Sequence, residues 1–348
     1  MRTSIAAVIS VSFAGIAGAQ APPDYGFDFV TIGDVGNAAY NGFDGDGRIA
    51  GRGSVGYEYR ISRTEIRTEQ YLEFMNVLGR LDPLRAEFTA PTSWGAFGFI
   101  RGDGTVGFEL DTGLADAADI PVYGIPWRNA ALYVNWLHND KAETREALNN
   151  GAYDASTFFT DPDNPPNLLD QTSRNPDARY WIPSLDEWLK AAHYDPNRNG
   201  VGEGGWWQYP NGTDEPLQEG LPGEPGAQTS YQLDLPNFDE RSIPVGAYPD
   251  TQSPWGLLDV SGGATEWTET WLPDDRFQTD RVWMGSLAGP EPFAGSGVNQ
   301  DILWRFGTER PNALAGFEGL RVASAIPGPA SVSLLGIVVA AGGTRRRR

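Results

Sequence analysis

Oxygen-bearing side chains recur at alternate positions at Asp195, Asn197 and Asn199, and a glycine follows the last of them. This order matches positions one, three, five and six of an EF-hand loop, where oxygen ligands bind calcium. Glu203 stands at position nine, but Trp206 occupies position twelve, so the bidentate glutamate of such a loop is missing. We expect a calcium site here if further ligands come from elsewhere in the fold. The alternative is an Asn-Gly turn held by its own backbone hydrogen bonds.

Three aromatic residues come directly after this segment, at Trp206, Trp207 and Tyr209. Such rings suit binding surfaces because they combine a flat apolar face with a hydrogen-bonding group. The same residues also pack well inside a core. The sequence therefore predicts either a surface that stacks on sugar rings or a part of the core at this point.

The residues that usually carry catalysis are scarce. The chain has no cysteine, so it has neither a thiol nucleophile nor a disulfide, and it has two histidines, His138 and His193. His138 ends a predicted helix, where a cation offsets the helix dipole, and His193 follows another helix. We expect both histidines to be structural. The carboxylates are numerous, but no pair among them stands out as a catalytic pair.

The composition describes a loop-rich globular protein with aromatic packing: 43 glycines, 26 prolines and 12 tryptophans in 348 residues. The formal net charge is −20, from 26 basic and 46 acidic residues. A surface of this charge repels nucleic acid and anionic lipid, and it favours divalent cations or cationic partners. We therefore expect no nucleic-acid partner.

Both ends of the chain have the composition of sorting signals. Arg2, the apolar residues 5–16 and the Ala17-Gly18-Ala19 step predict a signal peptide over residues 1–19, removed by signal peptidase. At the other end, a Pro-Gly-Pro motif leads into an apolar stretch over residues 332–341 and four final arginines. That stretch is shorter than the roughly 20 residues of a full membrane span.

This C-terminal layout, over residues 326–348, resembles the PEP-CTERM signal of Gram-negative bacteria, with Gly328 in place of the usual glutamate. The resemblance implies transient membrane anchoring through this segment and cleavage by an exosortase. It also implies export to the cell surface or extracellular matrix of a Gram-negative-type bacterium.

Three helices are predicted between these ends. Apolar residues from Ile66 through Tyr71 and Phe74 to Leu78 follow helical spacing after a short strand. A second helix is predicted over residues 126–138. The third starts at Ser184, because Ser184 and Glu187 have the spacing of a capping box.

Five blocks in this order resemble the sulfatase-modifying-factor family, whose prototype is the formylglycine-generating enzyme. They span residues 57–322 and include YRI, PVYGIPW, YWIPSLDEW, PWGLLDV and GFEGLRV. The resemblance implies an α+β domain over residues 20–325 with the formylglycine-generating-enzyme type of C-type-lectin-like fold. Such a fold is loop-rich, with short antiparallel strands and about three helices.

The same resemblance implies copper chemistry that these residues cannot perform. The family's oxidase holds copper with two cysteine thiolates, and Cu(I) prefers such soft ligands. The two positions fall near Gly289 and Ile302, while Ser286 matches a motif serine. Relatives also bind calcium at a Gly-Asn-x-x-Glu-Trp block; here Gly263 replaces the asparagine and Glu266 remains. We expect no copper.

Three hypotheses follow. The first is an exported, non-catalytic domain that binds a polysaccharide or protein ligand or acts as a matrix module. The second is a sulfatase-modifying-factor-type oxidoreductase with chemistry unlike the prototype. The third is a purely structural matrix protein whose role lies in its sorting tail.

Overall fold

A computed structural model describes residues 22–44, 47–158, 169–236, 238–272, 280–289, 301–302, 306–312 and 316–326. Residues 1–19 and 327–348 lie outside these ranges, so both sorting signals stay predictions. Within the described ranges, no helix combines the length and the apolar character needed to cross a membrane.

The described part of the chain contains five α-helices, three of which have seven residues or more. They are α1 (Thr68–Leu81), α2 (Pro83–Phe88), α3 (Trp127–His138), α4 (Arg145–Asn149) and α5 (Leu185–His193). The three longer helices confirm the predicted number. The short helices α2 and α4 were not predicted, because neither is long enough to show a periodic apolar pattern.

Local sequence signals explain where the longer helices start. Ser184 precedes α5; its Oγ accepts from Glu187 N, while the Glu187 carboxylate accepts from Ser184 N at 2.7 Å, so the predicted capping box is confirmed. The placement of Ile66 in the first helical pattern is wrong. Its N–H donates to Leu320 O at 2.8 Å and its carbonyl accepts from Val122 N, so Ile66 is extended chain before α1.

The strands of the described ranges are short and form two four-stranded sheets and three two-stranded ones. The first sheet has the order β1 (Phe29–Ile32), β2 (Tyr59–Ser62), β14 (Ala323–Ser324), β5 (Tyr180–Trp181). The second has the order β12 (Phe306–Glu309), β10 (Asp280–Met284), β9 (Thr265–Leu272), β13 (Glu318–Gly319). The pairs are β3 (Ala96–Ile100) with β4 (Val106–Leu110), β6 (Tyr194–Asp195) with β7 (Gly205–Trp206), and β8 (Ser261–Gly263) with β11 (Ser286–Leu287).

Most of these pairings are antiparallel, and two, β8 with β11 and β9 with β13, are parallel. The strand β14 comes last in sequence, yet it lies between β2 and β5, with Ala323 opposite both Ile61 and Trp181. The chain therefore closes on itself near its C-terminal end. This mixture of helices and short strands confirms the predicted α+β class.

Two tryptophans connect α3 and the residues just before it to the second sheet. Trp127 on α3 is fully buried and donates through Nε1 to Thr268 O at 3.0 Å. Trp267 on β9 is also fully buried and donates to Ile125 O at 2.6 Å. Each ring thus buries a large apolar area and satisfies its one polar atom, which is the arrangement that a buried indole requires.

Candidate functional site

A cavity of about 690 Å³ opens between two loops, residues 38–43 and residues 198–206. Tyr194, Gln208, Asp214 and Asp301 complete its lining. Its volume falls within the usual range of small-molecule sites, roughly 300–1,000 Å³. The cavity is the strongest candidate for a binding site in the described part of the chain.

The floor of the cavity is aromatic. The Trp206 ring is 8% exposed and meets Tyr194 at 5.2 Å and Tyr40 edge-on at 5.9 Å between ring centroids. Its Nε1 donates to Ala38 O at 3.1 Å, which ties β7 to the first loop. Gly53 makes room for this ring: it has a φ of +87°, and a Cβ there would lie 2.1 Å from the indole.

The 38–43 loop is held by backbone and carboxylate bonds. Tyr40 N donates to Arg52 O, and Gly51 N donates to Tyr40 O, each at 2.8 Å. The Asp44 carboxylate accepts from the N–H groups of Ile49 at 2.6 Å and Ala50 at 2.9 Å. These bonds place the Tyr40 ring against Trp206 before any ligand arrives.

The opposite wall is polar. Arg198 pairs with Asp214 at 2.5 Å, and Asp214 also accepts from Gln208 N at 3.1 Å. The Gln208 amide donates to Asp301, which is 4% exposed. Side-chain amides, carboxylates and a guanidinium therefore face an aromatic floor across one cavity.

Acidic side chains lie close enough to act on the Tyr40 hydroxyl. Burial raises the pKa of Tyr40, and the carboxylates of Asp301 and Asp44 raise it further, while Arg198 opposes them. Hydrogen-bond acceptors thus predominate at this wall, so the site suits a ligand rich in hydroxyl or other donor groups.

The three aromatics that the sequence singled out have different surroundings. Trp206 lines the cavity. Trp207 instead lies under the Arg198 guanidinium, 4.3 Å from the ring centroid, and donates through Nε1 to Asp195 at 3.1 Å. Tyr209 is 3% exposed, so its place is in the core. Only Trp206 of the three belongs to the cavity lining.

The oxygens of the predicted calcium loop take part in local hydrogen bonds. Asp195 Oδ1 accepts from Asn197 N at 2.8 Å, and Asn197 Oδ1 accepts from Gly202 N at 3.0 Å. The Asn199 amide donates to Gly204 O at 3.1 Å. The backbone also forms a turn here, since Gly200 N donates to Asn197 O at 3.1 Å and Glu203 N donates to Gly200 O at 2.9 Å. Calcium binding stays a prediction.

Two further residues proposed as calcium ligands, Glu203 and Glu266, have different surroundings. Glu203 is exposed, whereas Glu266 is 1% exposed. Among the described residues, no cluster of three or more His, Cys, Asp or Glu side chains could hold a metal ion. Glu266 instead accepts from Arg321, with the closest contact at 2.8 Å, and from Trp188 Nε1 at 2.7 Å.

A buried group of carboxylates surrounds that Arg321–Glu266 pair. Glu65 Oε1 accepts from Ala264 N at 2.6 Å, and a Cβ at Gly263 would lie 2.1 Å from this oxygen. The Glu65 carboxylate thus fills the space where a side chain at position 263 would start. Burial raises the pKa of Glu65 well above its usual value, and Glu266 and Asp259 add to the rise.

Asp259 makes the free energy of unfolding depend on pH. Burial raises its pKa to about 6, against roughly 3.9 in an unfolded chain. Because the folded-state pKa is the higher one, its contribution to stability is complete below about pH 4 and is lost as the pH rises through about 6.

We expect Asp259→Asn to stabilise the protein at about pH 8, by up to about 3 kcal/mol, and to leave stability at about pH 4 unchanged. Asparagine tolerates the left-handed φ of +56° at this position and can still accept from Gly246 N. Urea unfolding at both pH values measures the effect, with the exposed Asp250→Asn as control. Equal changes at the two pH values would contradict the assignment.

The positions where the family resemblance places copper thiolates offer no ligand. Gly289 packs against Glu240, since a Cβ there would lie 3.3 Å from the Glu240 carboxylate. Ile302 is 1% exposed and donates its N–H to Gln208 O at 2.9 Å. Ser286 donates to Ser261 Oγ at 2.8 Å in a buried hydroxyl cluster. This donor set does not fit copper.

A structural role for both histidines stays a prediction, but the predicted role of His138 as a cation is wrong. Its Nδ1 accepts from Arg179 N at 3.1 Å, which requires an unprotonated nitrogen, and burial lowers its pKa. His193 is the last residue of α5 and is 2% exposed; burial lowers its pKa to about 3. Neither imidazole faces the cavity.

Sequence reasoning missed Tyr40, Asp214 and Asp301 as cavity residues. They come from three distant segments that only the fold brings together. Residues 199–200 are the Asn-Gly step predicted as a possible turn, and residues 41–42 are a second such step. Nothing in the sequence indicated that these two turns face each other.

Comparison with known proteins gives a family match and a set of similar solved structures, three of which follow. A model of the family described as "Sulfatase-modifying factor enzyme 1-like domain" matches residues 33–325. CarF has 18% identity and a TM-score of 0.49, covering 87% of this chain and 99% of its own. Treponema denticola variable protein 1 has 18% identity and a TM-score of 0.47, covering 86% and 95%.

The third structure, PvdO from Pseudomonas aeruginosa, has 14% identity and a TM-score of 0.40, covering 86% of this chain and 92% of its own. At such identities these likenesses concern the fold alone. A search of curated protein sequences found no match.

Proposed function

The chain belongs to the family of sulfatase-modifying factor enzyme 1-like domains, and from this premise we propose that it is an exported, non-catalytic module that binds a saccharide. The match confirms the family that the sequence motifs predicted, and with it the fold class. The single observation that carries the proposal is the 690 Å³ cavity with its aromatic floor and polar wall.

The chemistry of the walls supports this ligand class. A sugar ring presents an apolar face that stacks on rings such as Tyr40 and Trp206, and its hydroxyls donate to carboxylates and amides. Asp214, Asp301 and Gln208 supply those groups on the opposite wall. Because the carboxylates of Asp214 and Asp301 line the cavity, a neutral or cationic saccharide fits better than an acidic one.

The absence of thiols supports a non-catalytic role, since the family's oxidation step depends on them and the chain has no cysteine. The predicted signals at residues 1–19 and 326–348 support export to the cell surface or matrix. Calcium remains part of the proposal as an ion that would stiffen the 195–203 loop beside the cavity. A calorimetric calcium titration, repeated with Asp195→Ala, tests that part.

We expect the full-length protein to bind saccharides on an immobilised array, and Tyr40→Ala to weaken the best of them at least about tenfold, or about 1.4 kcal/mol. The loss follows from removing one aromatic wall of the cavity. Titration calorimetry measures the affinities. Phe238→Ala, a 40% exposed aromatic outside the cavity lining, is the matched control.

Two outcomes would speak against the proposal. One is an array with no bound saccharide; the other is equal weakening by Tyr40→Ala and Phe238→Ala. Oxidation of a cysteine-containing sulfatase peptide by the purified protein, with copper and oxygen supplied, would favour the oxidoreductase hypothesis instead.

A further inference from the structure

The strand β3 has an unpaired edge that is apolar and exposed. It pairs with β4 on one side, and no other strand of the described chain pairs with it. Phe97, Phe99 and Ile100 are 46%, 40% and 64% exposed, and a groove of about 590 Å³ runs beside them. Exposed apolar edges of this kind are sites of strand pairing with another chain.

The pairing with β4 determines which backbone groups of β3 point outward. Arg101 N donates to Thr105 O and Asp111 N donates to Gly95 O, so residues 95 and 101 turn their backbone groups toward β4. Antiparallel ladders alternate, and therefore Phe97 and Phe99 also face β4. The free N–H and carbonyl groups at the outer edge belong to Ala96, Gly98 and Ile100.

This edge is complementary to itself. The sequence Phe97-Gly98-Phe99 reads the same in both directions, so a two-fold axis at Gly98 places Phe97 opposite Phe99 of a second copy. Gly98 then forms a hydrogen-bonded pair with Gly98 of that copy, and Ala96 pairs with Ile100. The phenylalanines fall in non-hydrogen-bonded pairs, where side chains are closest and aromatic contacts stabilise a sheet.

The charges agree with the same register. Residues 94–100 carry no charge, in a chain of net charge −20 that repels its own copies over most of its surface. The axis places Arg101 opposite Gly95 of the second copy. The Ala117 backbone lies over that glycine, since a Cβ at Gly95 would be 1.8 Å from Ala117 O.

The Arg101 side chain leaves the outer edge of β3 clear. Its guanidinium reaches across β4 and donates to Asn76 Oδ1 at 2.6 Å and to the Val106 carbonyl. Asn76 in turn accepts from Phe108 N on β4. We propose that β3 is a homodimer interface, in which two copies join their β3–β4 hairpins into one four-stranded antiparallel sheet.

Analytical ultracentrifugation of the full-length chain tests this interface. We expect a weak, concentration-dependent dimer, because one strand pair buries less than about 1,200 Å². Ile100→Lys should raise the dimer dissociation constant at least about tenfold, since it sets a charge against Ala96 of the second copy. Val201→Lys, at a 99% exposed residue outside β3, is the matched control and should still dimerise.

Three results would overturn the proposal: a wild-type protein that stays monomeric, an Ile100→Lys protein that still dimerises, or equal losses in both lysine variants. A second measurement tests the register by cross-linking, so it does not depend on a substitution that breaks the dimer. The chain has no cysteine, so Gly98→Cys gives one thiol on the axis, at a Cα separation of about 5.5 Å that suits a disulfide. Mild oxidation should link this variant and not Val201→Cys; equal linking of both also overturns the register.

Discussion

Replacing Arg321 with methionine should lower the free energy of unfolding by about 3–5 kcal/mol, the cost of leaving a buried ion pair without one partner. Arg321 is fully buried and donates to Glu266 through Nη2 at 2.8 Å. It also donates to the carbonyls of Ser62 and Leu258, each at 2.9 Å. Methionine fills most of the volume of arginine. It leaves the Glu266 carboxylate without its cation and these two carbonyls without the arginine donor.

Urea unfolding at neutral pH measures this loss. Arg241→Met is the control, because Arg241 pairs with Asp239 at the surface, where an ion pair contributes about 0–1 kcal/mol. The double variant Arg321→Met/Glu266→Gln should recover part of the loss, since it removes the unpaired negative charge of Glu266. An Arg321→Met protein as stable as the control would show that the pair does not hold the segment between β13 and β14 to β9 and β2.

The second large effect is expected at Arg174. Its guanidinium lies between Glu187 at 2.9 Å and Glu269 at 3.0 Å, and 4.3 Å from the Trp181 ring centroid. The Glu187 side chain is 0% exposed and that of Glu269 is 8% exposed. Arg174→Met leaves both carboxylates buried without their cation, so we expect a loss of about 3 kcal/mol or more.

This loss should depend on pH with a definite sign. Burial already raises the pKa of Glu269, and Arg174 opposes that rise. Without Arg174 the folded-state pKa rises further above the unfolded value, so stability falls more steeply as the pH increases. The deficit of Arg174→Met should therefore be larger at about pH 8 than at about pH 5 in urea unfolding.

Arg80→Met is the control for this variant, because Arg80 pairs with Glu143 where both side chains are exposed. A deficit that does not change with pH would show that packing against Trp181, and not charge, accounts for the role of Arg174.

The fold was predictable because its signals are local or lie in short blocks. The capping box at Ser184 and the apolar spacing of Tyr71, Phe74 and Leu78 each act within a few residues. The family blocks then supplied the topology that local patterns cannot. Short strands such as β6 and β7 have two residues each, too few for an alternating pattern to appear.

The cavity was not predictable in the same way. Trp206 was identified from its type, but its partner Tyr40 lies 166 positions earlier in the sequence. Tyr209 looked equivalent to Trp206, and both rings are buried, but only Trp206 lines the cavity. The charge on His138 was predicted from helix position, while the N–H of Arg179 determines its protonation.

The position of β14 in the middle of its sheet constrains the order of events during synthesis. Ala323 and Ser324 join β2 to β5, so these two strands gain their shared neighbour only when nearly the whole domain has been made. Contacts between residues so far apart form late and slow the folding of a chain. A nascent chain that still lacks its last strand therefore has an open sheet. The backbone edges of β2 and β5 that β14 will join stay unpaired in such a chain, and the first sheet is completed only after residue 324 has been made.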